Sequence, residues 1–142
     1  MILYLDTSSL VKLYVKEAHS AAVRDWADEA EVVATCRVAY PETISAFTRR
    51  YRSGDIARRD YEALLKTFAG EWAHFAAIDF DEITAGQLAE SYGLRGFDAV
   101  HLSAAKLLQL SSDRISVAFS SFDENLNKAA IAEKLKVLLP KA

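Results

Sequence analysis

The 142 residues are 51% hydrophobic, 26% charged and 11% aromatic, with 5 Gly and 2 Pro; that length sustains one core rather than two, and that composition excludes a long disordered tail. The net charge of -3 weighs mildly against non-specific nucleic-acid binding, which draws its affinity from Lys and Arg neutralising phosphates. A single cysteine, Cys36, excludes an internal disulfide framework and cannot assemble a zinc site alone, so it reads as a small core residue in a reducing compartment.

The chain opens on Ile2-Leu3-Tyr4-Leu5, a strand over 2–5 with no basic leader before it, and a cytoplasmic protein is expected. Helices follow near 8–17 and 20–30, then a strand over 32–35 and helices near 40–53 and 55–75. A strand over 76–79 leads to helices near 82–92 and 97–110, a strand over 116–120, a helix over 124–134 and a last strand over 136–139. Gly54 is expected to end one helix before Asp55 caps the next, and Gly93 or Gly96 to break the chain within the later pair, so that each pair forms a hairpin. No apolar run reaches the ~18 residues that a membrane-spanning helix needs. The alternation of strand and helix predicts a single α/β domain over 1–142. Its sheet should be parallel and covered on both faces, because right-handed crossovers place helices between successive parallel strands.

In such a sheet ligands bind beyond the carboxyl ends of the strands, where the strand order reverses. Asp6 directly follows the first strand, Asp123 follows the 116–120 strand by a few residues, and Glu42 sits just past Pro41, a residue favoured in the first turn of a helix. Asp98 begins the apolar helix Phe97-Asp98-Ala99-Val100-His101-Leu102, which reads as buried and central. Any one of these acids is ordinary at a helix start, where it satisfies free N–H groups and the helix dipole. Four on one rim would repel one another by about 3 kcal/mol per pair at ~5 Å and an effective dielectric of ~20. A cation should therefore occupy the site. An oxygen-only donor set suits Mg2+ or Mn2+, which keep several waters and bind phosphate oxygens, and a phosphate ester is the substrate that follows.

These residues also carry a resemblance. The segments Leu5-Asp6-Thr7-Ser8-Ser9-Leu10-Val11, Tyr40-Pro41-Glu42-Thr43-Ile44-Ser45-Ala46, Arg95-Gly96-Phe97-Asp98-Ala99-Val100-His101-Leu102-Ser103-Ala104-Ala105 and Ser120-Ser121-Phe122-Asp123-Glu124-Asn125-Leu126 resemble, in that order and spacing, PIN-domain proteins of the VapC toxin type. The resemblance implies a five-stranded parallel sheet in order 3-2-1-4-5, flanked by helices. It also implies one or two Mg2+ ions (Mn2+ substituting) on Asp6, Glu42, Asp98 and Asp123, with Ser8 and Ser121 in a polar shell around them. The activity it implies is endoribonuclease cleavage of RNA, transfer and ribosomal RNAs being candidate targets and the choice left open, by a toxin that is held by a cognate antitoxin protein and forms a homodimer. Family members often carry a further Asp after the fourth acid; here Glu124 and Asn127 stand nearest, which leaves a second metal position open.

His101, one turn from Asp98, is read as packed and hydrogen-bonded within the buried helix, since Val100, Leu102 and Ala104 around it are apolar; His19 and His74 are assigned to surface or packing. Without a histidine pair, attack by metal-bound water is expected rather than by a ribose 2′-OH, leaving 5′-phosphate and 3′-OH ends. Arg49, Arg50, Arg52, Arg58 and Arg59 fall within eleven residues, with Tyr51 and Tyr61 among them, and suit either RNA or a protein partner. Trp26, Tyr40, Phe47, Phe68 and Trp72 are core residues first and interface anchors second. A phosphoryl-accepting signalling domain fits poorly, because its lysine is missing near Ser120-Ser121. A haloacid-dehalogenase-like phosphatase would want Asp-x-Asp where Asp6-Thr7-Ser8 stands. A non-catalytic PIN-like RNA-binding or structural module is the remaining alternative.

Overall fold

The computed structural model describes residues 1–141. Its five strands, β1 (Ile2–Leu5), β2 (Val32–Cys36), β3 (Ala76–Ile78), β4 (Val117–Ser120) and β5 (Lys136–Val137), form one sheet in order β3-β2-β1-β4-β5. Every pairing is parallel. β1 and β4 are buried along their whole length, as apolar central strands of a doubly covered sheet must be. The two-residue side-chain period of β1 divides the core. Ile2 and Tyr4 point to one face, packed with Leu102, Phe119 and Leu126, whereas Leu3 and Leu5 point to the other, with Leu10, Val23, Phe47 and Phe68.

The first face is covered by α5 (Glu82–Tyr92), α6 (Gly96–Ser111) and α7 (Glu124–Ala132), the second by α1 (Thr7–Val11), α2 (Ser20–Glu29), α3 (Ala39–Arg52) and α4 (Arg58–Glu71). α6 packs along α5 and across β2 and β4, the central helix that its apolar sequence predicts. The aromatic residues of the second face form one cluster. Phe68 meets the rings of Tyr14, Tyr40, Phe47 and Trp72 at centroid distances of 5.2–5.9 Å, with Phe47 and Phe68 buried in the core and Tyr40 and Trp72 half-buried against it. Cys36 is buried and unpaired, as its isolation predicts. No helix among the described residues is long and apolar enough to cross a membrane.

Two local features depart from expectation. The helix expected over 8–17 ends at Val11, because Ser20 ties the chain back on itself. Its Oγ accepts from Glu17 N–H at 3.0 Å and donates to the Val15 carbonyl at 3.1 Å, and His19 takes a left-handed φ of 69°. Asp55 does not cap α4. It closes α3 instead, in a Schellman motif: Gly54, at φ +86°, sends its N–H to the Tyr51 carbonyl at 3.1 Å, and Asp55 N–H reaches Arg50 at 2.9 Å. Lys134 closes α7 in the same way at φ 66°, with Lys134 N–H on Ile131 and Leu135 N–H on Ala130. Gly93, at φ 64°, ends α5 as expected.

Candidate active site

β1 lies between β2 and β4, so the chain leaves its carboxyl end where the order of the sheet reverses. Asp6 stands at that point. It caps α1, its Oδ1 accepting from Ser9 N–H at 3.0 Å and from Ser8 Oγ at 2.7 Å, while its own N–H binds the Ser120 carbonyl of the neighbouring strand at 3.1 Å. Asp123 caps α7 by accepting from Leu126 N–H at 2.8 Å. Asp98 and Glu42 sit in the first turns of α6 and α3. Each acid thus takes a place that helix-start chemistry favours. The fold then turns all four onto one cavity of about 450 Å3, walled also by Thr7, His101 and Arg95.

Ser8 and Ser121 brace this rim. Ser8 Oγ accepts from Phe122 N–H at 3.0 Å while donating to Asp6, and Ser121 Oγ accepts from Asp123 N–H at 3.0 Å. Glu124 and Asn127 do not line the cavity: Glu124 is exposed and pairs with Lys128 at 3.3 Å, and Asn127 donates to the Ser121 carbonyl at 2.9 Å.

Two charge balances govern the acids. Glu42 Oε1 accepts from Thr7 Oγ1 at 2.6 Å and from His101 Nε2 at 2.9 Å. Burial pushes the Glu42 carboxyl up, but the hydrogen bonds of His101 and Thr7 and the charges of His101 and Arg49 outweigh it, so its pKa lies below the ordinary value. An ionised carboxylate only accepts, so His101 Nε2 carries the proton toward it, and Nδ1 shares a hydrogen bond of 2.7 Å with the Tyr4 hydroxyl. Burial, followed by the charges of Cys36, Asp6 and Glu42, raises the Tyr4 phenol well above 10 and keeps its hydroxyl protonated.

Asp98 shifts the other way. Burial raises its carboxyl, Arg95 opposes, and the charges of Asp123 and Asp6 add to the rise. Arg95 spans the gap between the two aspartates, with Nε on Asp98 Oδ2 at 3.0 Å and Nη2 on Asp123 Oδ2 at 3.1 Å, and with 78% of its side chain exposed. In this arrangement no three carboxylate, histidine or cysteine side chains among the described residues close into a metal-holding group. A guanidinium takes the position between two of them.

Sequence reasoning placed the four acids on this rim and His101 in the buried helix, where it is 2% exposed, while the polar shell of Ser8 and Ser121 came from the family resemblance. It did not foresee that the partner of His101 is Glu42, nor the parts of Tyr4, Thr7 and Arg95. Tyr4 had one available signal, a polar-tipped residue two positions before Asp6 in an otherwise aliphatic strand. Arg95, three residues before Asp98 at a helix start, had another. The arginine group divides: Arg49 and Arg50 line the same cavity as the acids, whereas Arg58 pairs with Glu62 at 3.0 Å and Arg52 lies on a groove beside Tyr40. Tyr51 and Tyr61 stack on each other at 4.5 Å and join α3 to α4, so they are not free platforms for bases.

The sequence profile of the PIN domain matches residues 3–132. The chain is 31% identical over 107 residues to a protein named Ribonuclease VapC49 from Mycobacterium tuberculosis (strain ATCC 25618 / H37Rv), covering 73% of this chain and 74% of that one. It is 28% identical to Ribonuclease VapC35 of the same strain, covering 98% and 97% of the two chains. Among solved structures, VapBC2 from Rickettsia felis, bound to a DNA fragment from its promoter, superposes with a TM-score of 0.63 at 14% identity over 97% of this chain and 98% of that one. With the strand order, the four acids on one cavity and a profile spanning nearly the whole sequence in agreement, this chain belongs to the PIN-domain family, with its VapC-type members.

Proposed function

We propose that this protein is a Mg2+- or Mn2+-dependent endoribonuclease and the toxin of a toxin–antitoxin pair. The observation that carries the reading is the convergence of Asp6, Glu42, Asp98 and Asp123 on one cavity, where a cationic group already bridges Asp98 and Asp123. The ribonuclease names of its relatives at 31% and 28% identity point to RNA as substrate, and the VapBC2 assembly, which shares the fold, supports a cognate antitoxin as partner.

The residues fit a hard divalent ion. The donors are carboxylate oxygens, and the charges of Asp123 and Asp6 add to the rise of the Asp98 carboxyl, a repulsion that a cation relieves. Asp6, Glu42, Asp98 and Asp123 would hold the ion. When bound, it lowers the pKa of a coordinated water and neutralises charge at phosphorus. Glu42 is aimed by two donors, Thr7 and His101, and His101 is fixed in turn by Tyr4. Arg95, exposed and tied only to two of the acids, is free to move to a phosphate oxygen once those acids are neutralised. Hydrolysis by water leaves 5′-phosphate and 3′-OH ends.

The test is cleavage of transfer and ribosomal RNAs by partner-free protein with Mg2+ or Mn2+, the cut ends being mapped, against an Asp98→Asn control. The variant should not cut, and wild-type cleavage by it overturns the assignment. Its fold is checked by the sign of its stability change. A carboxyl raised above its ordinary 3.8 contributes stability that is complete below 3.8 and is lost as pH rises through the folded value. At neutral pH ionised Asp98 is therefore a liability, and the pair it loses with the exposed Arg95 is worth little. The metal-free variant should melt at or above the wild-type temperature, which separates lost chemistry from lost structure.

A further inference from the structure

The cavity has a second pole. α3 runs along it with Glu42, Ala46, Arg49 and Arg50 at helical spacing, hence on one face. From Glu42 to Arg49 the helix advances about 10 Å, at ~1.5 Å per residue. Ala46 stands between them and raises only a methyl group, so the floor of the cavity is low there. At the far end Lys12 and Arg50 are held by the two oxygens of one carboxylate: Lys12 Nζ reaches Glu17 Oε1 at 2.9 Å, and Arg50 binds Glu17 Oε2. Lys12 also lies 4.5 Å over the Phe122 ring, with 11% of its side chain exposed. Arg49 donates only to Ser45 Oγ, at 3.0 Å. At this end three cations line the cavity with Glu17, which fixes Lys12 and Arg50 in place, while Arg49 also acts on Glu42 farther along the helix; the three positive charges outnumber the two acids.

We propose that Lys12, Arg49 and Arg50 form a phosphate subsite, distinct from the acidic pole, which binds a backbone phosphate of the RNA strand within three nucleotides of the bond that is cut. The distance supports this range as an upper bound, since at ~3.4 Å of axial rise per nucleotide about 10 Å spans roughly three nucleotides of a stacked strand, and fewer in an extended one. Opposite charges at the two ends of α3 give the strand a direction to lie in, from the acids toward Arg50. The proposal rests on RNA being the substrate. It separates Arg49 and Arg50 from Arg58 and Arg59, which do not line the cavity although they belong to the same run of sequence.

The experiment is fluorescence anisotropy of a labelled eight-nucleotide single-stranded RNA with the non-cutting Asp98→Asn protein in Mn2+, over a range of salt. Arg49→Gln with Arg50→Gln should weaken binding roughly tenfold or more and reduce the salt slope by about 1.4, at ~0.7 per lost contact on a single strand. Arg58→Gln with Arg59→Gln should change neither. Arg49→Gln alone, at an exposed residue bound only to Ser45, should show half the slope change and guards against misfolding of the double variant. Replacing single phosphates of the oligomer by uncharged methylphosphonates then locates the contact. One position within three nucleotides of the mapped cut should weaken binding to the parent and have no further effect on the Arg49, Arg50 variant. Equal losses in both arginine pairs, or no loss in the first, overturn the subsite while leaving the nuclease reading intact. Intact RNA binding with lost antitoxin binding assigns the pole to the protein partner instead. Failure of the parent to bind RNA at any salt overturns the substrate and the subsite together.

Discussion

Tyr4 has no contact with solvent, and its hydroxyl holds Nδ1 of the His101 ring whose Nε2 donates to Glu42. The three residues come from β1, α6 and α3, so a single hydroxyl coordinates three elements at the site. Tyr4→Phe deletes that hydroxyl without changing the ring, which stacks on Phe119 at 5.6 Å. The Nδ1 of His101 is then a buried polar atom without a partner, a loss of about 1–3 kcal/mol. The variant should show that loss as a lower urea midpoint with an unchanged m-value. Mn2+ affinity by calorimetry should fall as well, because the aim of Glu42 is loosened. A fall in stability with unaltered Mn2+ affinity would mean that the Tyr4–His101 pair serves only the core.

At the scale of elements, nearly every strand and helix was legible, and for a definite reason. β1 and β4 are short apolar runs bounded by polar residues, and α6 is apolar over more than one face, so burial left its mark on the sequence. The helix that ended early did so through Ser20 and His19, a local polar tie that periodicity does not register. The four acids were legible because each also caps or opens a helix. Tyr4 and the bridging part of Arg95 were not assigned, because His101 lies 97 residues from Tyr4 and Asp123 lies 28 from Arg95, and only the fold joins them. One helix end yields a prediction free of function. Lys134 closes α7 in a left-handed conformation that costs an ordinary residue about 1 kcal/mol or more. Lys134→Gly should remove that strain and stabilise the protein by several tenths of a kcal/mol up to ~1 kcal/mol, offset by the greater freedom of glycine in the unfolded chain. Thermal and urea melts would measure it.

For the whole molecule, a cavity walled by four carboxylates suits a guanidinium as well as the proposed divalent ion, and Arg95 already shows the first kind of occupancy. An antitoxin that places an Arg or Lys near Asp6 and Asp98 would exclude the ion by the same chemistry. Ligands that compete for one site are linked reciprocally, so the complex should bind Mn2+ more weakly than the free protein. Calorimetric titrations of both decide it. Equal affinities would mean that an antitoxin acts by covering the approach of RNA and leaves the acids open.

The strand order has a consequence for synthesis. The acids stand at residues 6, 42, 98 and 123, and the strand that seats the last of them, β4, inserts beside β1 only after more than four fifths of the chain exists. A ribosome delivers the chain from its amino end, and domains fold as units. A growing polypeptide therefore holds three of the four carboxylates, in a sheet that still lacks the neighbour on one side of its central strand. Asp6 cannot make its bond to the Ser120 carbonyl, and the wall formed by Asp123 is absent. The cavity is therefore complete only once β4 and Asp123 have been made, so a nascent chain that stops short of them carries no finished site.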